Sequence, residues 1–256
     1  MARTLWQRIR IVWITTGISL TIVFVVWCLI AYAARGDARQ AAVSDDAVQV
    51  VEVDGTWSFT PVRRDSTIAR GLIFYPGALV DPRAYAPYAR AIAAAGYPSF
   101  VVELPRRAAF GGADDPRVLA RTMSVIRDNP GIREWIVAGH SRGAVVSSAM
   151  ADRSLPHLAG LVLIGTTHPR DVDLSSLTIP VTKVVGTRDG VARPSTTQAN
   201  RHLLPPHTRW IEIEGGNHSQ FGGYGFQPGD RFSEVSRKEQ QRVTTEALLC
   251  MMSQRC

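Results

Sequence analysis

Residues 135–144 read WIVAGHSRGA, and this stretch decides the fold. An apolar segment, 135–138, runs directly into the motif G-x-S-x-G at 139–143, and a helical segment follows directly. A serine between two glycines at such a strand-to-helix turn is typical of a nucleophile elbow, because the glycines give room to a cramped backbone. The Ser141 hydroxyl would then stand at a helix N-terminus, where backbone N–H groups favour a developing anion. The competing interpretation is a tight turn that carries an ordinary serine.

Outward from this motif, buried apolar strands alternate with helices. Strands are predicted at 71–77, 98–105, 158–167, 180–187 and 208–216, with Ala-rich or amphipathic helical segments between them. Two further strands, 48–54 and 56–62, form an antiparallel edge across the turn Asp54-Gly55. The pattern predicts an α/β fold: a mostly parallel sheet with helices on both faces. Residues 166–180 are too few for a sizeable cap domain.

The serine needs a base, since a hydroxyl is a poor nucleophile until its proton is removed. His218 follows the last predicted strand, where parallel-sheet enzymes place such groups. Asp189 follows the preceding strand and can accept the imidazole N–H, although Asp-Gly is also a common plain turn. Enzymes with this elbow carry their residues in the chain order Ser, acid, His, so we predict Ser141, Asp189 and His218 as catalytic. Asp171 and Asp173 are reserve acids.

An oxyanion needs two backbone N–H donors. One is predicted at Arg142, directly after the nucleophile, and the other at Ala78 or Leu79, in the loop after strand 71–77. We expect an open pocket with Leu79 in its wall and these substrate-binding residues: Tyr85, His168, Phe221 and Tyr224. Packing within loops is the alternative role for the aromatic residues.

Four segments in this order carry a resemblance to a known family: FYPGALVDPRAYAPYA, AGHSRGA, VGTRDG and GGNHSQFGGYG. From about Val48 onward the chain resembles a small bacterial α/β-hydrolase-fold enzyme of the dienelactone-hydrolase-like kind. The resemblance implies a Ser–Asp–His triad at Ser141, Asp189 and His218. Ala144 departs from the second glycine found in many relatives. Dienelactone hydrolases proper use a cysteine nucleophile, so their substrate does not carry over.

The N-terminal segment predicts a membrane anchor. A short basic stretch, 1–10, precedes residues 11–34, which hold no charged residue and are long enough to span a bilayer as one helix. Residues 35–47 are small and polar and predict a linker, which leaves 48–256 as the hydrolase domain. A slight excess of arginine before the span favours an extracytoplasmic domain. The alternative is a cleaved signal peptide, because Ala31-Tyr32-Ala33 matches an A-x-A cleavage site.

Composition excludes some partners. The 256 residues carry a formal net charge of +7, but the arginines are scattered without a basic run, which argues against nucleic-acid binding. The three cysteines lack metal-ligand spacing, so we predict neither a metal nor any other cofactor. A Cys250–Cys256 disulfide remains open. The predicted partners are a small-molecule or lipid-like ester and the membrane itself.

These features predict a membrane-tethered serine hydrolase of the carboxylesterase type. An acyltransferase of the same fold is a second interpretation, because an alcohol can intercept the acyl-enzyme in place of water. A catalytically idle fold that acts as a binding module is a third, since fold alone does not imply activity.

Overall fold

The computed structural model describes residues 4–63, 68–112 and 114–254, so Arg3 and Cys256 lie outside the described residues. Its centre is an eight-stranded sheet in the order β1-β2-β4-β3-β5-β6-β7-β8. The strands are β1 Val48–Val53, β2 Thr56–Pro61, β3 Arg70–Tyr75, β4 Ser99–Val102, β5 Glu134–His140, β6 Leu158–Ile164, β7 Val181–Gly186 and β8 Arg209–Ile213. The pairs β1–β2 and β2–β4 are antiparallel, and the other pairs are parallel. The predicted fold class is therefore confirmed.

Helices cover both faces of this sheet. They are α1 Leu5–Ala31, α2 Asp37–Ala41, α3 Ala86–Ala94, α4 Pro116–Asp128, α5 Arg142–Asp152, α6 Pro194–Ala199 and α7 Arg237–Ser253. Leu72 and Phe74 of β3 pack in one core cluster with α3 and α7, whereas Ile73 and Tyr75 pack in the other with α4 and α5. Successive side chains of a strand point to opposite faces, which is why β3, buried along its whole length, supplies both cores.

The N-terminal helix is longer at its start and shorter at its end than the predicted span of 11–34. Helix α1 has 27 residues, and its most apolar 18-residue window has a mean hydropathy of 2.3, so by length and composition the helix can cross a membrane; a signal sequence passes the same test. Residues 35–47 also differ from the predicted linker. They contain helix α2, and Ala38 is buried in the core cluster of α3 and α7, as is Ala34 directly before the segment. The small side chains of this segment therefore allow it to pack closely against the domain, and the segment is not a free linker.

The turn between β5 and α5 is sterically demanding. Ser141 adopts φ 52° and ψ −116°, a sparsely populated conformation for a residue with a side chain. A Cβ atom added to Gly143 would lie 1.9 Å from the carbonyl oxygen of Tyr75 in β3, and one added to Gly139 would lie 2.4 Å from the Gly143 carbonyl carbon. Ala144, the departure from the usual second glycine, is a fully buried residue in the first turn of α5. Both glycines of the motif are thus required by the approach of α5 to the sheet.

Lys183 of β7 is a buried cation. Its ammonium donates a hydrogen bond to the backbone carbonyl of His168, and burial lowers the pKa of Lys183 from 10.5 to about 7. Burial also lowers the pKa of His168 to about 4. On folding, Lys183 therefore loses its charge at mildly alkaline pH, and His168 loses its charge at mildly acidic pH.

The Gly143→Ala substitution tests the steric demand of the turn. We expect it to destabilise the protein by at least about 3 kcal/mol, because the new methyl group meets backbone that cannot move aside. The measurement is the thermal unfolding midpoint of the full chain in detergent. Gly17→Ala is the control, since nothing lies within 4 Å of a Cβ atom at that position. Equal midpoints for Gly143→Ala and the parent would contradict the packing described.

Lys183 makes stability depend on pH. Its folded-state pKa of about 7 lies below the ordinary 10.5, so the unfolded chain binds the extra proton between these values and stability rises with pH there. From pH 7 to pH 9 we expect a gain on the order of 2 kcal/mol, which Lys183→Met should abolish. Denaturant unfolding of both proteins at the two pH values measures it. The same pH dependence in parent and variant would show that Lys183 is not its source.

Candidate active site

Ser141 stands where β5 passes into α5, half-buried at the carboxyl edge of the sheet. Its backbone N–H donates to the Ile164 carbonyl at 3.0 Å, which ties the turn to the end of β6. The Arg142 N–H, the first of α5, forms no hydrogen bond with the described residues. A helix N-terminus leaves such N–H groups without acceptors in its own helix. The turn therefore presents a hydroxyl and a free backbone donor side by side.

His218 and Asp189 form a buried pair. The His218 Nδ1 and the Asp189 Oδ2 are 2.8 Å apart, and the two side chains are 0% and 1% exposed. The other carboxylate oxygen of Asp189 accepts the backbone N–H groups of Val191 and Ala192, at 2.9 and 2.6 Å. The carboxylate is thus held in place from three directions. In this position it selects the His218 tautomer that carries its proton on Nδ1.

The remaining ring nitrogen of His218 is the one free to act as a base. Its Nε2 is buried and forms no hydrogen bond with the described residues, so no Ser141–His218 hydrogen bond is present. The His218 ring lies 4.5 Å from the ring of His140, the residue that precedes Ser141 in the chain. Catalytic hydrogen bonds are often long without substrate and shorten when it binds. The three predicted catalytic residues thus lie in the elements expected of them, with the acid–base contact formed.

A second buried chain of hydrogen bonds runs beneath the site. The Tyr85 hydroxyl accepts the Gly77 N–H at 3.0 Å and lies 2.8 Å from the His140 Nδ1. One hydrogen bond thus joins the phenol to the His140 Nδ1, and which of the two atoms donates depends on the His140 tautomer. Burial, and next the neighbouring His218, lower the pKa of His140 well below its ordinary value. His140 is therefore a neutral support for the loop that begins at Gly77.

That loop contains the predicted oxyanion donors. The Leu79 N–H is already used, because it donates to the Arg107 carbonyl at 2.6 Å, and Leu79 adopts a φ of 64°. The Ala78 N–H forms no hydrogen bond with the described residues. Of the two alternatives that the sequence left open, the geometry favours Ala78. Arg142 and Ala78 are the two backbone donors that stay available.

The predicted open pocket differs from the structure. Tyr85, Phe221 and Tyr224 are fully buried, so they do not line an open wall. Phe221 packs on His140 with ring centroids 5.5 Å apart, and Tyr224 stacks on Tyr32 at 5.9 Å. For Phe221 and Tyr224, the physical reason is the chain after α1, which covers the glycine-rich loop that holds them.

That cover is fastened through the backbone. The Gly225 N–H donates to the Ala31 carbonyl at 2.9 Å, and the Arg35 N–H donates to the Gly223 carbonyl at 2.8 Å. On the opposite side, the Asp81 N–H donates to the Tyr32 carbonyl at 2.9 Å. Residues 31–35 therefore bridge the loop after Gly77 and the loop after His218. We call this segment the strap.

The predicted wall residue His168 and the reserve acids have other partners. His168 is buried, and its Nε2 lies 3.5 Å from the Asp171 carboxylate. The Asp173 carboxylate accepts the Ser175 N–H at 2.9 Å. Neither acid contacts His218, whose partner is Asp189. Within the described ranges, no group of three or more His, Cys, Asp or Glu residues could hold a metal ion.

Asp230 is the residue that sequence reasoning missed. Its Oδ1 accepts the N–H groups of His218 and Gly190 at 3.2 and 3.1 Å, and its Oδ2 accepts the Ser219 N–H and hydroxyl at 2.8 and 2.6 Å. It therefore joins the loop of the histidine to the loop of Asp189. Gln240 of α7 supports the same histidine loop through two hydrogen bonds to the backbone of Asn217, at 3.0 and 2.6 Å. A carboxylate in a loop shows no periodicity, so only its proximity to His218 in sequence could have signalled it.

Solved structures with this architecture include several esterases. The chain is similar to a ferulic acid esterase from Streptomyces cinnamoneus (17% identity, TM-score 0.58, covering 78% of this chain and 81% of that one). It is also similar to a carboxylesterase from Bacillus subtilis (12% identity, TM-score 0.55, covering 84% of this chain and 94% of that one). A third similar structure is a lipase in its open form (14% identity, TM-score 0.58, covering 81% of this chain and 99% of that one). Identities this low establish the fold alone.

Sequence comparison gives the family. No curated protein matches the chain. The alpha/beta hydrolase family matches residues 71–242, a range that begins in β3 and ends in α7 and contains the elbow, Asp189 and His218. The chain belongs to the alpha/beta hydrolase family.

Proposed function

We propose that the protein is a serine hydrolase that cleaves carboxylic esters through an acyl-enzyme on Ser141. The observation that carries the proposal is the buried His218–Asp189 hydrogen bond, set beside a strand-to-helix turn that holds Ser141 at φ 52°. Such a pair leaves one histidine nitrogen without a partner, and it lies beside a strand-to-helix turn of the type that presents a nucleophile in α/β-hydrolases.

The first half-reaction uses the pair directly. The Ser141 Oγ attacks the ester carbonyl carbon while the His218 Nε2 takes the hydroxyl proton. Asp189 stabilises the imidazolium that forms, and the N–H groups of Arg142 and Ala78 stabilise the oxyanion. The leaving alcohol then takes the proton from His218, and the acyl group stays on Ser141.

The second half-reaction restores the enzyme. Water loses a proton to the His218 Nε2 and attacks the acyl carbonyl, and the serine oxygen leaves with that proton. If an alcohol replaces water, the same steps give transesterification, which is the acyltransferase alternative. An idle binding module would need none of these groups, so their occurrence together in one chain supports catalysis over the idle alternative.

The choice of an ester as substrate draws on the structural neighbours, three of which are named as an esterase, a carboxylesterase and a lipase. The resemblance to dienelactone hydrolases concerns the small fold and not their substrate, because those enzymes use a cysteine nucleophile. No bound group besides the protein is needed for these steps.

The backbone hydrogen bonds of the strap favour an uncleaved membrane anchor. Cleavage after Ala33 would remove Ala31 and Tyr32, whose carbonyls accept the Gly225 and Asp81 N–H groups, and would expose the Tyr224 ring. The strap is thus part of the fold, while α1 ahead of it remains largely exposed. We place α1 across the cell membrane as a single-pass anchor, with the hydrolase domain outside the cytoplasm.

The Ser141→Ala substitution tests the nucleophile. In the full chain in detergent, we expect fluorophosphonate labelling to vanish and p-nitrophenyl butyrate turnover to fall by at least about 10⁴-fold, because no other group can form the acyl-enzyme. Ser148→Ala is the matched control, since this serine of α5 is buried and, among the described residues, its hydroxyl bonds only to the Ala144 carbonyl. A folded parent that neither labels nor turns over would refute the proposal and favour the binding module.

The Asp230→Asn substitution tests the support of the histidine loop. An amide has one acceptor oxygen in place of two, so either the bonds to His218 and Gly190 or those to Ser219 are lost. The alignment of His218 should then suffer, and kcat should fall about 10- to 100-fold with KM little changed. Labelling should slow in proportion, with the unfolding midpoint shifted only slightly. Asp128→Asn is the control, because this carboxylate is exposed and pairs only with Arg127. Labelling of Asp230→Asn at the parental rate would contradict the positioning role.

A further inference from the structure

An apolar groove lies between the anchor helix and the hydrolase domain. Its volume is about 480 Å³. One wall is the last part of α1, and the other is the oxyanion loop with the 3-10 helix Pro105–Gly111. The lining residues are Phe24, Val25, Cys28 and Leu29 on the first wall, and Ala78, Leu79, Arg106, Arg107, Ala108 and Ala109 on the second.

With α1 across the membrane as proposed, the first wall of the groove lies against the bilayer. Phe24, Val25 and Leu29 belong to the helix that is apolar enough to span the membrane, and they lie in its last two turns. Trp27 and Tyr32 make an edge-to-face contact at 6.2 Å at this end of the helix, and such aromatic rings favour the boundary between hydrocarbon and water. The groove therefore continues the hydrocarbon layer towards the domain.

The second wall places the groove in contact with the site. Ala78, whose N–H is free, is one of its lining residues, and the Leu79 N–H bonds to Arg107 of the same wall. An ester carbonyl that accepts the Ala78 N–H has its acyl carbons beside this wall. The short segment at Ala78 and Leu79 would thus both polarise the ester carbonyl and contact the acyl chain.

Charge at the rim matches a lipid. Arg106 is exposed, and Arg107 lies 3.5 Å from the Glu103 carboxylate. A guanidinium at the level of the headgroups attracts anionic phosphate, while the groove floor of alanine and leucine favours hydrocarbon. A small water-soluble ester would leave this apolar surface uncovered.

We infer that the groove binds the acyl chain of an ester that resides in the bilayer, so that the substrates of Ser141 are long-chain membrane esters. The inference rests on the proposed function and names its substrate class. The ester moves laterally along α1, its chain enters between Leu29 and Ala109, and its carbonyl reaches the Ala78 N–H without leaving the membrane surface.

The test uses the full chain in phosphatidylcholine vesicles, with p-nitrophenyl butyrate and p-nitrophenyl palmitate as substrates. Leu29→Trp fills the groove from α1. We expect it to lower kcat/KM for the palmitate about 10-fold or more, because the chain loses its apolar contacts, and to leave the butyrate within about 2-fold of the parent. Leu29 is 55% exposed, so the larger ring does not disturb the domain core.

Two more variants sharpen the result. Ala109→Trp fills the groove from the opposite wall and should reproduce the selective loss. Val26→Trp is the matched control: it adds the same ring to α1 at a residue that is 48% exposed and does not line the groove. It should leave both substrates unchanged. Equal losses of palmitate turnover in Val26→Trp and Leu29→Trp would overturn the inference.

The parent protein separates the two proposals. Turnover of butyrate without turnover of palmitate would overturn the acyl-groove inference and leave the serine hydrolase intact. Turnover of neither ester by folded protein would refute the proposed function, and the inference would fall with it. Turnover of both, with the palmitate selectively lost in Leu29→Trp, supports both.

Discussion

The close approach of α5 to the sheet is the constraint on which the rest of the structure depends. The Gly143 backbone lies so near the Tyr75 carbonyl that only a hydrogen fits between them. This contact is what forces Ser141 out of ordinary helical or extended backbone, since the chain must turn within one residue of the strand end. The stored strain is compensated by burial of Ala144 and its neighbours on both sides of the turn.

The strand order then assembles the remaining groups around that turn. Because β3 and β5 are adjacent and parallel, the loop after Gly77 and the turn at Ser141 leave the same edge of the sheet next to each other. β6, β7 and β8 follow in order on the other side, and the loops after β7 and β8 bring Asp189 and His218 to that edge. Ligands and catalytic groups in open α/β sheets occur at this edge for the same geometric reason.

The fold was predictable from the sequence because its signals are local. A continuous apolar run such as β3 indicates a strand buried on both faces, and the glycines beside Ser141 indicate the sharp turn. The pairing of His218 with Asp189 was predictable from chain order. The roles of Tyr85 and Tyr224 were not, because a ring that covers a ligand and a ring that packs in a loop are identical in sequence. The segment 35–47 misled in the same way: small side chains suit a free linker and a close packing contact equally well.

If α1 spans the membrane and the substrate is a bilayer ester, as proposed above, the strap has a consequence for kinetics. Because residues 31–35 join α1 to the domain without an intervening flexible stretch, the domain cannot swing away from the bilayer as it could on a long tether. Encounters with a bilayer-borne ester then take place in two dimensions. The rate depends on the mole fraction of that ester in the lipid and not on its bulk concentration, so dilution with inert lipid slows the reaction even when the total amounts of enzyme and ester stay the same.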